Sequence, residues 1–296
     1  MDTLGKPRLG FIGLGIMGTA MTQRLLEQGW PVTVWNLEPE RIDPLVKAGA
    51  VAAASPAAVT RASDIVIMCV LHTQAVEECV LGPDGIAQGA APEKVLVDHS
   101  TIDPARTREL ASKLRSDTGM RWVDAPVSGG PTAARSGLLT VMAGGEAADV
   151  DAVREAMADL AANFTHIGPS GAGQTAKMIN QLIVGSGYVV MAEALILAEA
   201  AGIDAQELPQ CLAGGHADSN LLKQLYPQMQ ARDFDPPRSY ARQLLKDLKA
   251  VKAYAQALNL TLPMLETATG RYAGYVAQGN EMADSASIVN AYRRAD

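Results

Sequence analysis

The sequence predicts an α/β domain, a mostly parallel and doubly wound sheet, followed by an all-α domain. Three observations carry this expectation. Strand-like and helix-like stretches alternate over the first half, the alternation stops near residue 168, and a glycine-rich turn joins the first strand to the first helix. Alternating β and α units imply a parallel sheet covered by helices on both faces.

Arg8-Leu-Gly-Phe-Ile-Gly13 reads as a short buried strand, and a helix from Met17 to Gln28 follows, ending at Gly29. Pro31 to Trp35 is a second strand, and Asp64 to Leu71 and Val95 to Asp98 are two more. Arg121 to Asp124 and Leu138 to Ala143 complete the set, with alanine-rich helical stretches between several of them. Beyond His166 the pattern is helical, over Gly173–Ala200, Asp204–Ala213, Asn220–Gln230, Arg242–Ala257 and Pro263–Gln278. The expected domains are therefore residues 1–168 and 169–296, with the helix from Gly173 linking them.

Composition bounds the function. At 296 residues with 48% hydrophobic and 19% charged side chains, the chain has material for two domains with real cores. A net charge of -7 argues against a nucleic-acid or anionic-membrane surface. Cys69, Cys79 and Cys211 form no Cys-x-x-Cys or Cys/His cluster, so neither a disulfide framework nor a metal site is expected. Met1 to Arg8 has no apolar core of a secretion signal, which points to the cytoplasm. The uncharged run Met178–Ala192 lies between Lys177 and Glu193 and is shorter than the roughly 18 apolar residues of a spanning helix. It reads as a helix buried on most of its faces, with no membrane partner.

Gly13-Leu14-Gly15-Ile16-Met17-Gly18 follows the first strand and opens the first helix. In this position the first glycine allows a tight turn, the second lets backbone approach a pyrophosphate, and the third packs helix on strand. The helix N-terminus supplies free N–H groups to the phosphates. These six residues are the expected cofactor cradle. The end of the second strand chooses between NAD and NADP, an acid holding the ribose hydroxyls and an arginine holding a 2′-phosphate. Asn36 stands there, followed by Leu37 and Glu38, with Arg41 the nearest cation along the chain. Asn36 can bond a hydroxyl or simply start the turn before Pro39. Glu38 would repel a phosphate, so the reading leans to NAD.

Four segments carry a resemblance: Gly10 to Gly18, Asp98-His-Ser-Thr-Ile-Asp103, Asp124-Ala-Pro-Val-Ser-Gly-Gly130, and Gly171-Ala-Gly-Gln-Thr-Ala-Lys-Met-Ile-Asn-Gln181. Together they closely resemble the β-hydroxyacid dehydrogenase family, from about residue 8 to the C-terminus. The resemblance implies a Rossmann domain, a helical domain, a cleft between them, and reversible hydride transfer between nicotinamide and a short hydroxy acid. Tartronate semialdehyde reductase-like chemistry is the leading expectation.

Each motif has its own physics. Ser128, Gly129 and Gly130 offer a hydroxyl and backbone N–H groups that can surround a carboxylate, or make an ordinary turn. The family assigns them to substrate. Thr101 follows a strand end, and its family counterpart lies beside the nicotinamide; Ser100 or Thr101 could also cap the helix starting near Pro104. Lys177 sits near the start of a long helix, where a cation opposes the macrodipole. That position and partial burial would lower its pKa and suit it to proton transfer. In the family this lysine is catalytic, with Asn180 and Gln181 orienting the substrate or the lysine; some members carry Asn in place of Gln181. Asn180 lies three residues on, facing the same side as Lys177.

Lys246-Asp247 matches a family pair in the helical domain that closes over the cofactor; without the family it reads as an exposed charge pair. Val70 and Leu71 stand where the family often has Leu-Pro and are expected at the cofactor, though the proline is missing. His216-Ala-Asp-Ser219 lies where relatives set specificity, and also reads as a plain loop. His72, His99 and His166 read as structural. The rivals are imine reduction on the same architecture, which Lys177 argues against, and a non-catalytic dinucleotide-binding module. The second rival needs only the glycine turn and leaves Lys177, Thr101 and the Ser128 loop unexplained. The related 6-phosphogluconate dehydrogenases need a longer helical region than residues 169–296. Finally, the long apolar helix, with Gly185, Ser186 and Gly187 open to close approach, predicts a homodimer or higher homo-oligomer.

Overall fold

The computed structural model of the chain describes residues 5–292. It divides into two compact units, one ending at Lys177 and the other beginning at Met178. The first runs β1 (Leu9–Ile12), α1 (Ile16–Glu27), β2 (Val32–Trp35), α2 (Asp43–Lys47), β3 (Val51–Ala52), α3 (Pro56–Ala62), β4 (Ile65–Met68), α4 (Thr73–Leu81), β5 (Val95–Asp98), α5 (Pro104–Thr118) and β6 (Arg121–Asp124). It closes with β7 (Val127–Ser128), α6 (Gly130–Ser136), β8 (Leu139–Gly144), α7 (Ala147–Ala152), α8 (Arg154–Ala158) and β9 (Ala161–Gly168).

The sheet order is β3-β2-β1-β4-β5-β6-β8-β7, with β9 paired to β8. The first six strands are mutually parallel, whereas β8 runs antiparallel to β6 and β7. The order reverses at β1 and β4, the switch point beyond which ligands bind in doubly wound sheets. Strands β1, β4 and β5 are buried at every residue, as a parallel sheet covered on both faces requires. Successive side chains feed opposite layers: Phe11, Ile67 and Val97 enter one cluster, and Ile12, Met68 and Leu96 the other.

The second unit is built on α9 (Ala172–Ala201), whose first turns lie in the first unit. It adds α10 (Leu208–Cys211), α11 (Asn220–Ala231), α12 (Ala241–Ala257) and α13 (Pro263–Tyr275). Its core gathers Leu195, Tyr226, Leu248 and Tyr272.

Several expectations change. Strands β3, β7 and β9 were not anticipated. β3 and β7 are two residues long, and β9 is largely exposed, so none carries an apolar run. The helix expected over Asp204–Ala213 shrinks to α10. The last helix breaks beyond Tyr275, where Gly279 takes φ +89°. Helix α9 is continuous over 30 residues and, by length and composition, apolar enough to cross a membrane. It is not buried on most faces, since 33% of its most apolar stretch is buried. The small residues of α9 do not await a foreign helix. A Cβ on Gly185 would lie 2.5 Å from Leu248 of α12, and one on Gly187 2.6 Å from Leu221 of α11.

Candidate active site

The glycine turn is shaped by what surrounds it. Gly13 takes φ +93°, and a Cβ there would meet the Cys69 carbonyl at 2.4 Å, so this turn admits glycine alone. A Cβ on Gly18 would lie 1.9 Å from the Gly13 carbonyl, which lets α1 press onto β1. Gly15, by contrast, is exposed and has no protein atom within 4 Å of its Cβ position. Ile16 and Met17 begin α1, whose first turn carries no acid. An open cradle at a helix N-terminus with no competing carboxylate fits a pyrophosphate. Leu14 is buried, and its N–H donates to Asn36 Oδ1 at 2.7 Å. Asn36 therefore does more than start a turn. Its Nδ2 donates to the Glu38 carbonyl at 3.1 Å and to Glu38 Oε2 at 2.7 Å.

Lys177 is buried, and its Nζ donates to the Val127 carbonyl at 2.8 Å. Val127 precedes Ser128 on β7, so the ammonium stands one residue from the Ser128-Gly129-Gly130 segment. That segment is a strand end running into a helix: Gly129 and Gly130 take φ +127° and +72°, and Gly130 opens α6.

The helix bearing Lys177 is seated by Asp124. The Asp124 carboxylate accepts the N–H of Gly171 at 2.8 Å and that of Gln174 at 3.0 Å, filling the anionic position that α9's own first turn leaves without an acid. This seat needs Gly144 and Gly173, since a Cβ on either would come within 3 Å of the carboxylate.

Thr101 lies between two anchored neighbours. Ser100 N–H donates to Asp98 Oδ1 at 2.9 Å, and its Oγ accepts from Val70 N–H at 2.9 Å. Ile102 N–H donates to Gln174 Oε1 at 3.1 Å. Neither Ser100 nor Thr101 caps the following helix. Asp103 does, accepting from Arg106 N–H at 2.8 Å, because it directly precedes Pro104. Val70 is half-buried and Leu71 exposed.

In the second unit, Asn180 and Gln181 follow on α9. Asn180 Nδ2 donates to Gln181 Oε1 at 2.8 Å, and Gln181 Nε2 to Asp247 Oδ2 at 2.6 Å. Asp247 also pairs with Lys246 at 2.9 Å. Gln181 thus links this charge pair to Asn180. In the 216–219 segment, Ser219 caps α11 and Asp218 pairs with Lys223, which are loop-building roles.

A family model described as the NAD binding domain of 6-phosphogluconate dehydrogenase matches residues 8–168. One described as the NAD-binding of NADP-dependent 3-hydroxyisobutyrate dehydrogenase matches residues 171–292. The 2-hydroxy-3-oxopropionate reductase of Escherichia coli is 37% identical over 284 residues, 96% of each protein. The chain belongs to the β-hydroxyacid dehydrogenase family. A 3-hydroxyisobutyrate dehydrogenase of Salmonella typhimurium has the same fold with a TM-score of 0.86 at 29% identity, covering 97% of this chain and 100% of that one. The Mycobacterium tuberculosis 3-hydroxyisobutyrate dehydrogenase, solved with L-serine, is 27% identical with a TM-score of 0.86 and covers 97% and 99%. This β-hydroxyacid dehydrogenase is an NAD(P)-dependent oxidoreductase.

Two carboxylates of the dehydrogenase escaped the sequence reading. Asp98 and Asp124 stand side by side in the β5–β6 register. Burial pushes Asp98 up to about 7, against the Ser100 hydrogen bonds, and Asp124 raises it further. Burial also raises Asp124, opposed by the helix N–H groups it accepts. His99 is held down to about 4 by burial, with Nδ1–H donating to the Ala125 carbonyl at 2.5 Å. Asp98 opens the Asp98–Asp103 motif and Asp124 the Asp124–Gly130 motif, and each ends a largely apolar strand, which is the signal the sequence offers for them. His72 caps α4 and His166 bonds the Gly145 and Gly168 carbonyls.

Proposed function

We propose that this enzyme interconverts a short β-hydroxy acid and its semialdehyde, in the manner of a tartronate semialdehyde reductase, with Lys177 as general acid and base. The observation that carries the reading is the buried Lys177 ammonium on the Val127 carbonyl, beside Ser128. When bound, the nicotinamide supplies the hydride in reduction and accepts it in oxidation. Lys177 gives a proton to the carbonyl oxygen as the carbon is reduced and becomes neutral; in oxidation the neutral amine takes the hydroxyl proton back. Ser128 and the N–H groups of Gly129 and Gly130 hold the substrate carboxylate, and Asn180 and Gln181 orient substrate.

Gly13 to Gly18 hold the pyrophosphate, Asn36 and Glu38 set the ribose end, and Val70, Leu71, Thr101 and Lys246 complete the cofactor contacts in this proposal. Residues 1–168 are the dinucleotide domain, and 169–296 the substrate and assembly domain of a cytoplasmic homodimer or larger oligomer. Reduction of NAD⁺ and NADP⁺ with glycerate, 3-hydroxyisobutyrate, 4-hydroxybutyrate, threonate and serine tests the substrate class. Lys177→Ala should lower turnover by about 10²–10⁴-fold with cofactor affinity little changed. Near-parental turnover in that variant would remove Lys177 from the mechanism.

A further inference from the structure

We infer that Gln174 is a positioning residue for the reaction: its carboxamide locks the 100–102 segment to the helix that carries Lys177, and so fixes where Thr101 stands. Gln174 is fully buried. Its Oε1 accepts the Ile102 N–H at 3.1 Å and its Nε2 donates to the Ser100 carbonyl at 2.7 Å. The side chain therefore pairs with backbone on both sides of Thr101, as a neighbouring strand would. Its own N–H reaches Asp124 Oδ2 at 3.0 Å, which ties the same residue to the end of β6.

The bonds continue beyond the loop. Ser100 N–H donates to Asp98 Oδ1, and Ser100 Oγ accepts from Val70 N–H, each at 2.9 Å. One network thus joins the segments after β4 and β5 and the last residue of β6 to the first turn of α9. Lys177 is three residues beyond Gln174, so both project from one face of that turn. Thr101 cannot shift relative to the lysine unless the Gln174 bonds break.

The residue type is specific. A primary amide presents one donor side and one acceptor side; a carboxylate only accepts, and methionine offers neither donor nor strong acceptor. A protonated glutamate reproduces the amide: its carbonyl accepts from Ile102 and its O–H donates to Ser100. This inference rests on the reading above that Thr101 contacts the cofactor and Lys177 moves the proton.

The test compares the parent enzyme with Gln174→Met, Gln174→Glu and Lys177→Ala. Amide hydrogen exchange at Ile102 and cofactor affinity are measured beside turnover across pH. Gln174→Met should exchange faster at Ile102 and lose about 10- to 10²-fold in kcat at every pH, the scale of a 1 Å misplacement, with cofactor affinity lowered by no more than the loss of the Thr101 contact. Gln174→Glu should keep near-parental kcat at acid pH. It should then lose it as pH rises, through an ionisation the parent lacks, because the carboxylate cannot donate to Ser100. Parental kcat in Gln174→Met while Lys177→Ala is inactive overturns this inference and leaves the catalytic reading standing. An active Lys177→Ala overturns that reading instead. If Gln174→Met does not fold, the pH profile of Gln174→Glu decides alone, and a profile parallel to the parent's counts against positioning.

Discussion

The Leu14 N–H, in the middle of the glycine turn, ends on the Asn36 side chain at 2.7 Å. Asn36 is buried, and its two ends are both used inside the protein: Oδ1 on the turn, Nδ2 on Glu38. The side chain that terminates β2 thus holds the cofactor turn in shape and points Glu38, which also faces Arg41 at 3.7 Å. With Arg41 engaged by Glu38 and Leu37 uncharged, NAD should be used at least as well as NADP. Leu37→Arg with Glu38→Thr should move the ratio of kcat/KM values toward NADP. A strong NADP preference in the parent would show that Arg41 or a distant cation reaches the 2′-phosphate.

Two glycines should respond in opposite ways. Gly15 has open space around its Cβ position and an extended backbone that alanine adopts, φ -67° and ψ -169°. Gly15→Ala should fold with near-parental stability and lose cofactor affinity, because the methyl enters the cradle. A Cβ on Gly173 would meet the Met142 carbonyl at 2.4 Å and the Asp124 carbonyl at 2.5 Å. Backbone does not yield there, so Gly173→Ala should lose about 1–3 kcal/mol or more of stability and displace the start of α9. Urea unfolding and cofactor titration of the two variants separate these effects. Parental stability in Gly173→Ala would mean α9 can be reseated at little cost.

The pH dependence of stability has a worked sign. Asp98 stays protonated in the fold up to about 7 and ionises near pH 4 when unfolded, so folding takes up a proton between these values. Its contribution is lost as pH rises through that window. His99 stays neutral in the fold down to about 4 but protonates below about 6.5 when unfolded, so its contribution is lost as pH falls. The two slopes oppose each other between roughly pH 4 and 6.5. Asp98→Asn removes the first slope while keeping an acceptor for Ser100. Relative to the parent, the variant should gain stability steadily from pH 4 to 7, and its own stability should fall on acidification. Parallel pH curves for the two proteins would rule out a protonated Asp98.

What the sequence disclosed was local. The turn at Gly13 to Gly18 and the apolar strands β1, β4 and β5 are legible because glycine spacing and unbroken hydrophobic runs act over a few residues. Lys177 stood out because a cation in the first turns of a helix opposes the dipole. β9 was hidden because its exposed residues, among them Asn163, Thr165 and His166, carry no apolar pattern. Gln174 was hidden for a different reason. Its partners Ile102 and Ser100 lie 72 and 74 positions away, so its role exists only once β5 and α9 are brought together. Asn180 was expected beside Lys177 from helix spacing. Its hydrogen bond to Gln181, which is itself held by Asp247, 66 residues on, is a link that helix spacing does not show.

Assembly gives the last prediction. Along α9, Ile179, Ile183, Val190 and Leu197 are 56%, 62%, 43% and 70% exposed. Their spacings of four, seven and seven residues put them on one helix face, a heptad-like seam. The seam covers 18 steps of helix, roughly 27 Å at about 1.5 Å per residue. The chain's own helices cover Gly185 and Gly187, through Leu248 and Leu221, and leave these four apolar side chains exposed. An exposed apolar row of that length, broken only by Ser186 and Glu193, is uncommon on a monomer in water, and a second copy presenting the same row would cover both at once. Light scattering should therefore report a dimer or larger species at micromolar concentration. Ile183→Glu with Leu197→Glu should shift the protein toward 31.1 kDa, because each charge would otherwise be buried without a partner. A fully active parent monomer of that mass would defeat the assembly and leave the stripe without a role.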